Sequence, residues 1–210
     1  MRITILTDNE NSWVLPYVDR LKESLSSHDV THEFNSAELD SGDLLVLLSC
    51  EKVISDEVIS KFGKSIVVHP SKLPKGKGWS PLAWQILEGI NPIHLSLFEA
   101  TSSVDSGDIY LVDSITLRGD ELNEEIKEKQ GLTTIKMVKY FVEHMEEIVP
   151  VKQIGKSTYY PRRTIQDSRI DFEKSLSDQF DLLRVVDNER YPAFFIRNGI
   201  KYILKIYKEE

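Results

Sequence analysis

Short apolar runs alternate with helical periodicity along the amino-terminal part of the chain. The runs 3–6, 43–48 and 66–68 predict buried strands. Between the first two runs, apolar residues repeat at the spacing of one helix face, at Val14, Val18, Leu21 and Leu25. Strands that alternate with helices imply an α/β fold, so we expect a Rossmann-like, mostly parallel sheet with helices on both faces.

A second group of predicted elements follows. Ser80 is expected to cap a helix that has proline at its first position and ends at Gly89. The run 93–98 predicts another strand. The charged stretch 120–148 carries apolar residues every three or four positions, which predicts a helix with one buried face, and Gly131 is a candidate point of division into two helices.

The pattern changes after Pro150. Asn198 and Gly199 lie between two β-rich runs, which is the strongest short-range signal for a tight hairpin. We therefore expect residues 1–150 to form a Rossmann-like core. Residues 151–210 are expected to form a carboxyl-terminal extension that contains the hairpin and belongs to the same unit.

Length and cysteine content narrow the class of protein. With 210 residues the chain is long enough for one sizeable domain. Cys50 is the single cysteine, so an intramolecular disulfide is excluded and a reducing compartment fits best. No apolar stretch approaches the ~20 residues of a membrane span, and the chain opens on a strand instead of a charged and apolar leader. We expect a cytoplasmic protein without a membrane partner.

Charge and turn chemistry disfavour two ligand classes, nucleic acids and dinucleotides. The formal net charge of −8 disfavours nucleic acid as a partner. The turn 7–12 contains no glycine, so it cannot provide the close backbone approach of a dinucleotide-binding turn. Two local basic groups remain, at 72–77 and at Arg162 and Arg163, and either one is suited to phosphate or simply to solvent.

His69 is the leading candidate for chemistry. Pro70 and Pro74 cannot continue a strand, so the run 66–68 must stop at the histidine, whose ring then faces the crevice beyond the end of the sheet. A histidine standing alone in such a turn is more often structural. The turn 104–109 adds the carboxylate of Asp105, and together the two segments offer an acid and a base.

The two segments resemble the formyltransferases that use 10-formyltetrahydrofolate. The signature of that family is Asn-x-His-Pro-Ser-x-Leu-Pro followed downstream by Asp-x-Gly, and residues 69–74 and 105–107 match it. Residues 48–54 lie where the family has its pterin-binding loop. Residues 158–164 look like the tail of the members that formylate nucleotide-linked amino sugars. The resemblance covers most of the chain.

The resemblance implies a role for each of these segments. His69 would stabilise the developing oxyanion, Asp105 would orient His69 or relay the proton, and Gly107 would let its turn pass close to the folate. The donor 10-formyltetrahydrofolate would contact Lys52, Val53, Ile54, Val104 and Asp105. The acceptor would contact Lys77, Trp79, Tyr160, Arg162 and Arg163. The chemistry requires no metal, and the histidines lack zinc-like spacing.

Val67 departs from the family signature, which has asparagine at this position. Residues two apart on a strand share a face, so position 67 faces the same crevice as His69 but offers no hydrogen-bond donor. Loss of one such donor costs on the order of 10²–10³ in rate in other oxyanion sites. Three outcomes stay open: a slower enzyme, a substitute donor such as Ser71, Lys77 or a backbone amide, or a non-catalytic module that binds folate or nucleotide.

The tail favours a nucleotide-linked amino sugar as the acceptor, and thus a small-molecule partner. The compact build is similar to the formyltransferase of the pseudaminic acid pathway, which acts on a UDP-linked 4-amino sugar. The alternatives are methionyl-tRNA formyltransferase, which normally has a further domain that grips tRNA, and glycinamide ribonucleotide formyltransferase. Members of the family often form homodimers. The hairpin near Asn198 is one place for such a contact, although an edge strand folded back on its own sheet explains it equally well.

Overall fold

The computed structural model describes residues 1–209, which contain ten strands and five α-helices. The strands are β1 Arg2–Leu6, β2 Asp29–Glu33, β3 Gly42–Leu47, β4 Phe62–His69, β5 Lys77–Gly78, β6 Ile93–Glu99, β7 Ile109–Ile115, β8 Tyr159–Tyr160, β9 Ala193–Arg197 and β10 Ile200–Leu204. The helices are α1 Leu15–Ser24, α2 Asp56–Ile59, α3 Pro81–Leu87, α4 Asn123–His144 and α5 Phe180–Val185. None of these helices is both long and apolar enough to cross a membrane.

Six strands form the central sheet in the order β2-β1-β3-β4-β6-β7. The first four run parallel, and β6 and β7 are antiparallel to their neighbours. Within this sheet β4 has β3 on one side and β6 on the other, so that Val67 lies opposite Leu47 and Phe98. This placement puts the end of β4, and with it His69, at the middle of the sheet.

Helices pack on both faces of the sheet because side chains alternate along its strands. Ile3 and Ile5 point into a large core that also contains buried side chains of α1, α3 and α4. Leu45 and Leu47 point into a smaller core on the opposite face, against which the side chains of α2 pack. The predicted α/β fold, a mostly parallel sheet with helices on both faces, is confirmed.

Gly131 does not divide the charged helix. α4 runs without interruption from Asn123 to His144. A Cβ atom at position 131 would lie 2.3 Å from the ring of Tyr17, so the glycine is required where α1 and α4 approach each other closely. The sequence pattern suggested a break because glycine is a weak helix former, whereas close packing of two helices determines this position.

The predicted start of α3 is correct in place but wrong in detail. Pro81 occupies the first position, yet the side chain of Ser80 makes no capping hydrogen bond. Ser80 has a left-handed backbone with φ 48°, whereas a capping serine is normally extended so that its hydroxyl reaches the first turn. Gly89 follows the helix with φ 72°, a conformation that favours glycine and agrees with the predicted end.

The residues after Pro150 add smaller elements to the central sheet. β8 pairs with β5, and β9 and β10 form the predicted hairpin. Its turn has positive φ at both Asn198 and Gly199, as the tightest type of hairpin turn requires. Around it lies a separate small apolar cluster of Ile170, Leu183, Val186 and Ala193.

Candidate active site

A cavity of about 700 Å³ opens beyond the carboxyl ends of β1, β3 and β4. The ends of β3 and β4 and the loops that follow the three strands supply Asn9, residues 47–54 and residues 67–70 to its wall. Ligands of open α/β sheets bind in this place because the loops after parallel strands diverge there. The opposite wall comes from α4 and from residues 162–191.

His69 lies in the cavity wall with only 7% of its surface exposed. Its Nε2 atom is 2.8 Å from the carbonyl oxygen of Gly76. A carbonyl only accepts hydrogen bonds, so we assign the ring proton to Nε2. In the neutral ring the lone pair is then on Nδ1, which lies 3.7 Å from Oδ1 of Asp105. Both of these atoms are acceptors, so a proton or a donor group fits between them.

Asp105 occupies the turn between β6 and β7 with a left-handed backbone, φ 48°. One carboxylate oxygen, Oδ2, accepts a hydrogen bond of 2.7 Å from the amide of Gly78. The other oxygen, Oδ1, faces His69. The carboxylate is therefore fixed at one atom and available at the other, and the predicted convergence of His69 and Asp105 on one cavity is what the structure contains.

Gly107 has a different role from the one that the resemblance implied. A Cβ atom at this position would lie 1.8 Å from the carbonyl oxygen of Glu99, so glycine is required by the close contact between the turn and β6. Gly107 does not line the cavity. The expectation that it makes room for the folate is therefore wrong.

The residues predicted to contact the folate all line this cavity. Lys52, Val53 and Ile54 follow β3, and Val104 lies beside Asp105 in the turn across from them. The carboxylate of Asp8 accepts hydrogen bonds of 2.7 Å from the amides of Glu51 and Lys52 and so holds the loop after β3.

Cys50 also lines the cavity, but its environment suppresses thiol chemistry. Burial, followed by the nearby charge of Asp8, raises the pKa of the Cys50 thiol to about 12. Its sulfur donates to the carbonyl oxygen of Leu6. The thiolate, which is the reactive form, is therefore not populated near neutral pH.

Arg162 and Trp79 form the rim of the cavity. The guanidinium of Arg162 lies 4.7 Å from the centre of the Trp79 ring and donates a hydrogen bond of 2.6 Å to Glu51. Asn9 donates to the other oxygen of Glu51 at 2.9 Å. The hydrogen bond from Asn9, and after it the one from Arg162, lowers the pKa of Glu51 in spite of partial burial. The rim thus connects four separate segments of the chain.

Arg163 lines the cavity from a different direction. Its two terminal nitrogens donate to the carbonyl oxygens of Val185 and Asp167, at 3.2 and 3.0 Å. Its Nε atom is buried and has no hydrogen-bond partner within residues 1–209. Burial lowers the pKa of this guanidinium. Arg163 therefore keeps one donor unused beside the cavity.

The structure places two predicted acceptor contacts, Lys77 and Tyr160, outside the cavity wall. The side chain of Lys77 is buried near the ring of Tyr159. The hydroxyl of Tyr160 donates to Glu88, and its ring stacks on Trp84. The short β5–β8 ladder turns both side chains away from the cavity, an arrangement that residue types alone did not indicate.

Sequence reasoning missed a polar wall of the cavity. Its members are Lys127, Gln130 and Thr134 on α4 together with Ser168, Asp187 and Arg190. Lys127 forms a 3.1 Å ion pair with Asp187, and the hydroxyl of the fully buried Ser168 has no partner within the described residues. The α4 residues recur every three or four positions, but polar residues at this helical spacing are more typical of a face in contact with solvent.

Val67 lines the cavity two residues before His69, as expected. Two of the proposed substitute donors, Lys77 and Ser71, do not line the cavity. The amides of residues 77, 78 and 79 are bonded to Thr158, Asp105 and Tyr160 respectively. Neither side chain suggested from the sequence therefore replaces the family amide, and a backbone amide elsewhere in the wall stays a prediction.

The chain belongs to the formyl transferase family, whose sequence profile matches residues 7–136. A methionyl-tRNA formyltransferase from Caldicellulosiruptor saccharolyticus is 26% identical over 195 residues, which cover 91% of this chain and 60% of that relative. This chain thus spans less than two thirds of the length of that relative. The family resemblance inferred from residues 69–74 and 105–107 is confirmed.

Solved structures share this architecture. A methionyl-tRNA formyltransferase from Clostridium thermocellum superposes with a TM-score of 0.83 at 25% identity, covering 100% of this chain and 94% of the other. A 4-N formyltransferase from Francisella tularensis gives 0.76 at 17% identity, covering 100% and 98%. HypX from Aquifex aeolicus in complex with tetrahydrofolic acid gives 0.80 at 21% identity, covering 98% and 37%. The last two similarities establish the fold alone.

Proposed function

We propose that this protein is an N-formyltransferase that moves a formyl group from 10-formyltetrahydrofolate to the primary amine of a nucleotide-linked amino sugar. The observation that carries the proposal is the approach of His69 Nδ1 to Asp105 Oδ1, 3.7 Å apart at one cavity. An acid–base pair at this separation leaves room for a donor group of the substrate.

The cavity suits a folate on the side of the loop after β3. Val53, Ile54 and Val104 present apolar surface, and Lys52 adds a positive charge beside them. A pterin ring requires such an apolar slot, and its glutamate tail is anionic, so the chemistry of these residues fits the cofactor. When bound, 10-formyltetrahydrofolate supplies the formyl carbon. The HypX complex with tetrahydrofolic acid is consistent with this assignment.

The tautomer of His69 determines how it takes part. With its Nε2 proton bound to Gly76, a neutral ring offers only a lone pair at Nδ1. The ring can therefore donate a hydrogen bond to a formyl oxygen only when Nδ1 also carries a proton. Asp105 Oδ1 would accept the proton that the attacking amine releases and return it to the folate nitrogen that departs from the formyl carbon.

The acceptor side of the cavity is suited to an anionic and hydroxylated molecule. Arg162 and Trp79 provide a flat cationic and aromatic rim, at which Glu51 pairs with Arg162. Lys127, Arg163 and Arg190 add positive charge to the adjoining wall, against a carboxylate from Asp187. A diphosphate linked to a sugar satisfies these groups, because arginine and lysine are the usual phosphate ligands.

Methionyl-tRNA is the second candidate acceptor, and the 26% identity to the methionyl-tRNA formyltransferase favours it. The net charge of −8 opposes it, since contacts to tRNA phosphates require positive surface. The sugar nucleotide ranks first for this reason. We also propose a cytoplasmic location, which the single cysteine favours.

Formyl transfer is tested by incubating the protein with 10-formyltetrahydrofolate and a panel of acceptors. The panel contains UDP- and dTDP-linked amino sugars, with UDP-linked 4-amino sugars first, glycinamide ribonucleotide and methionyl-tRNA. Products are identified by mass spectrometry. Addition of one formyl group to a sugar nucleotide, lost in His69→Ala and in Asp105→Asn, supports the proposal.

Two other outcomes would replace it. Formylation of methionyl-tRNA but of no sugar nucleotide would assign the second candidate function. Tight binding of folate without turnover of any acceptor would identify a binding module in which Val67 has removed catalysis.

A further inference from the structure

Gln153 holds the turn that carries Asp105. Its side-chain amide donates to two carbonyl oxygens of that turn, Asp105 O at 2.9 Å and Gly107 O at 2.8 Å. Gln153 is partly buried and lies 48 residues from Asp105 in the sequence. One side chain from the carboxyl-terminal segment therefore fixes two backbone groups next to the cavity.

The turn has little freedom of its own to adopt another shape. Asp105 has a left-handed backbone, which is unfavourable for a side chain with a Cβ atom. Gly107 lies directly against the carbonyl of Glu99. The two carbonyls that Gln153 binds flank Ser106, so its amide spans the part of the turn that orients the Asp105 carboxylate.

The backbone on both sides of Gln153 is itself anchored by hydrogen bonds. Two residues earlier, Val151 exchanges two backbone hydrogen bonds of 2.8 Å with Ile109 at the start of β7. Five residues later, the hydroxyl of Thr158 accepts a 2.8 Å hydrogen bond from the amide of Gly76. Gly76 is the residue whose carbonyl binds the ring of His69. The segment 151–158 thus supports the surroundings of both members of the pair.

We infer that Gln153 is a positioning residue, which sets the separation of Asp105 from His69 by clamping the Asp105 turn. An effect of Gln153 on catalysis rests on the proposed function, whereas its effect on the position of the Asp105 turn does not. Gln153 does not line the cavity, so it acts through Asp105 and touches no substrate.

Gln153→Leu removes both hydrogen bonds at nearly constant volume. Gln179→Leu is a matched control, because Gln179 is also partly buried and donates to turn carbonyls, those of Asp171 and Ser175, in a turn that does not line the cavity. We expect Gln153→Leu to lower kcat by about 10–100-fold with little change in KM for either substrate, because a small misplacement of a catalytic group has this cost. Gln179→Leu should leave kcat unchanged.

A second measurement does not depend on turnover. The ring signals of His69 are recorded by NMR in the free protein and assigned by their loss in His69→Ala. Gln153→Leu should move these signals, and Gln179→Leu should not. Unchanged ring signals together with an unchanged kcat in Gln153→Leu would overturn the inference.

The two readouts separate the failure of this inference from that of the proposed function. If the protein transfers no formyl group, the NMR comparison alone decides whether Gln153 positions the pair. If Gln153→Leu does not fold, Gln153→Glu serves instead, since it keeps the side-chain length but replaces the donor with an acceptor that the two carbonyls repel.

Discussion

At the scale of single residues, Val67 is the main puzzle of the site. It lines the cavity on the same side as His69, and neither of the substitute side chains that the sequence suggested, Ser71 and Lys77, reaches that wall. Stabilisation of negative charge on a reacting oxygen would then depend mainly on His69. The effect of Val67 can be tested directly, because the family signature has the side-chain amide of asparagine at this position.

Val67→Asn is expected to increase the rate of formyl transfer. It would add a hydrogen-bond donor beside His69, and one such donor is worth on the order of 10²–10³ in rate in other oxyanion sites. The measurement is kcat with a sugar nucleotide as acceptor. Val112→Asn, the same change at an exposed position of β7, should leave kcat as it is. A rate that stays constant in Val67→Asn would mean that no oxyanion lies against this wall.

The placement of His69 and Asp105, the proposed catalytic pair, could be predicted from the sequence because nearby residues determine it. The prolines at 70 and 74 end β4 at His69, and the turn at 105 precedes β7, so short stretches of sequence determine both placements. Gln153 could not be found in this way. Its hydrogen bonds join residues nearly 50 positions apart, and no local pattern distinguishes it from any other polar residue of a loop.

At the scale of elements, α4 does more than cover the sheet. One side of it packs into the large core, while Lys127, Gln130 and Thr134 face the cavity. The periodicity predicted the buried side correctly but not the role of the polar side, since charged residues on a helix usually meet solvent. Only the position of residues 162–191 beside α4 makes that polar side part of the cavity wall.

Lys127→Met is expected to weaken acceptor binding. The change removes a positive charge from the acceptor side of the cavity, so KM for a sugar nucleotide should rise about tenfold while KM for 10-formyltetrahydrofolate stays constant. Lys136→Met is the control, because Lys136 lies on the same helix and also pairs with an aspartate, Asp113, but away from the cavity. Binding of UDP, followed by calorimetry, gives the same comparison without turnover. Equal UDP affinities in the two variants would contradict the assignment.

At the scale of the whole molecule, a buried ion pair joins the core to the carboxyl-terminal segment. Glu121, just before α4, binds Arg184 of α5 at 3.1 Å, and its side chain is 1% exposed. Burial opposes the charge of Glu121, but hydrogen bonds from Lys129 and from the amides of Arg118 and Gly119 outweigh it and lower the pKa of Glu121 to about 2. We propose that residues 1–150 and 151–210 behave as one cooperative unit for this reason.

Glu121→Gln is expected to destabilise the fold by about 3 kcal/mol, because it removes the buried carboxylate that pairs with Arg184 and leaves that guanidinium only the half-exposed Asp181. Urea unfolding at neutral pH measures this loss. Asp120→Asn, at the neighbouring exposed position, should have little effect. Two separate unfolding transitions in the unmodified protein would contradict a single unit.

The acid dependence of stability gives a further test. The pKa of Glu121 falls from an ordinary 4.5 to about 2 on folding, so between these values the unfolded chain binds the proton more readily. The stabilisation from Glu121 is therefore complete above about pH 4.5 and is lost as the pH falls toward 2. Urea midpoints of unfolding, measured between about pH 4.5 and pH 2, should fall less steeply with decreasing pH in Glu121→Gln than in the unmodified protein.

The hydrogen bonds of residues 151–158 have a consequence for how acceptor preference evolves in such proteins. The family profile ends at residue 136, and the acceptor wall beyond it includes Arg162 and Arg163. If relatives exchanged the whole segment 151–210, the recipient would gain new acceptor contacts. It would also gain different hydrogen bonds around His69 and Asp105. If Arg162 and Arg163 bind the acceptor as proposed, crossovers after Thr158 would change these contacts and keep the hydrogen bonds around His69 and Asp105.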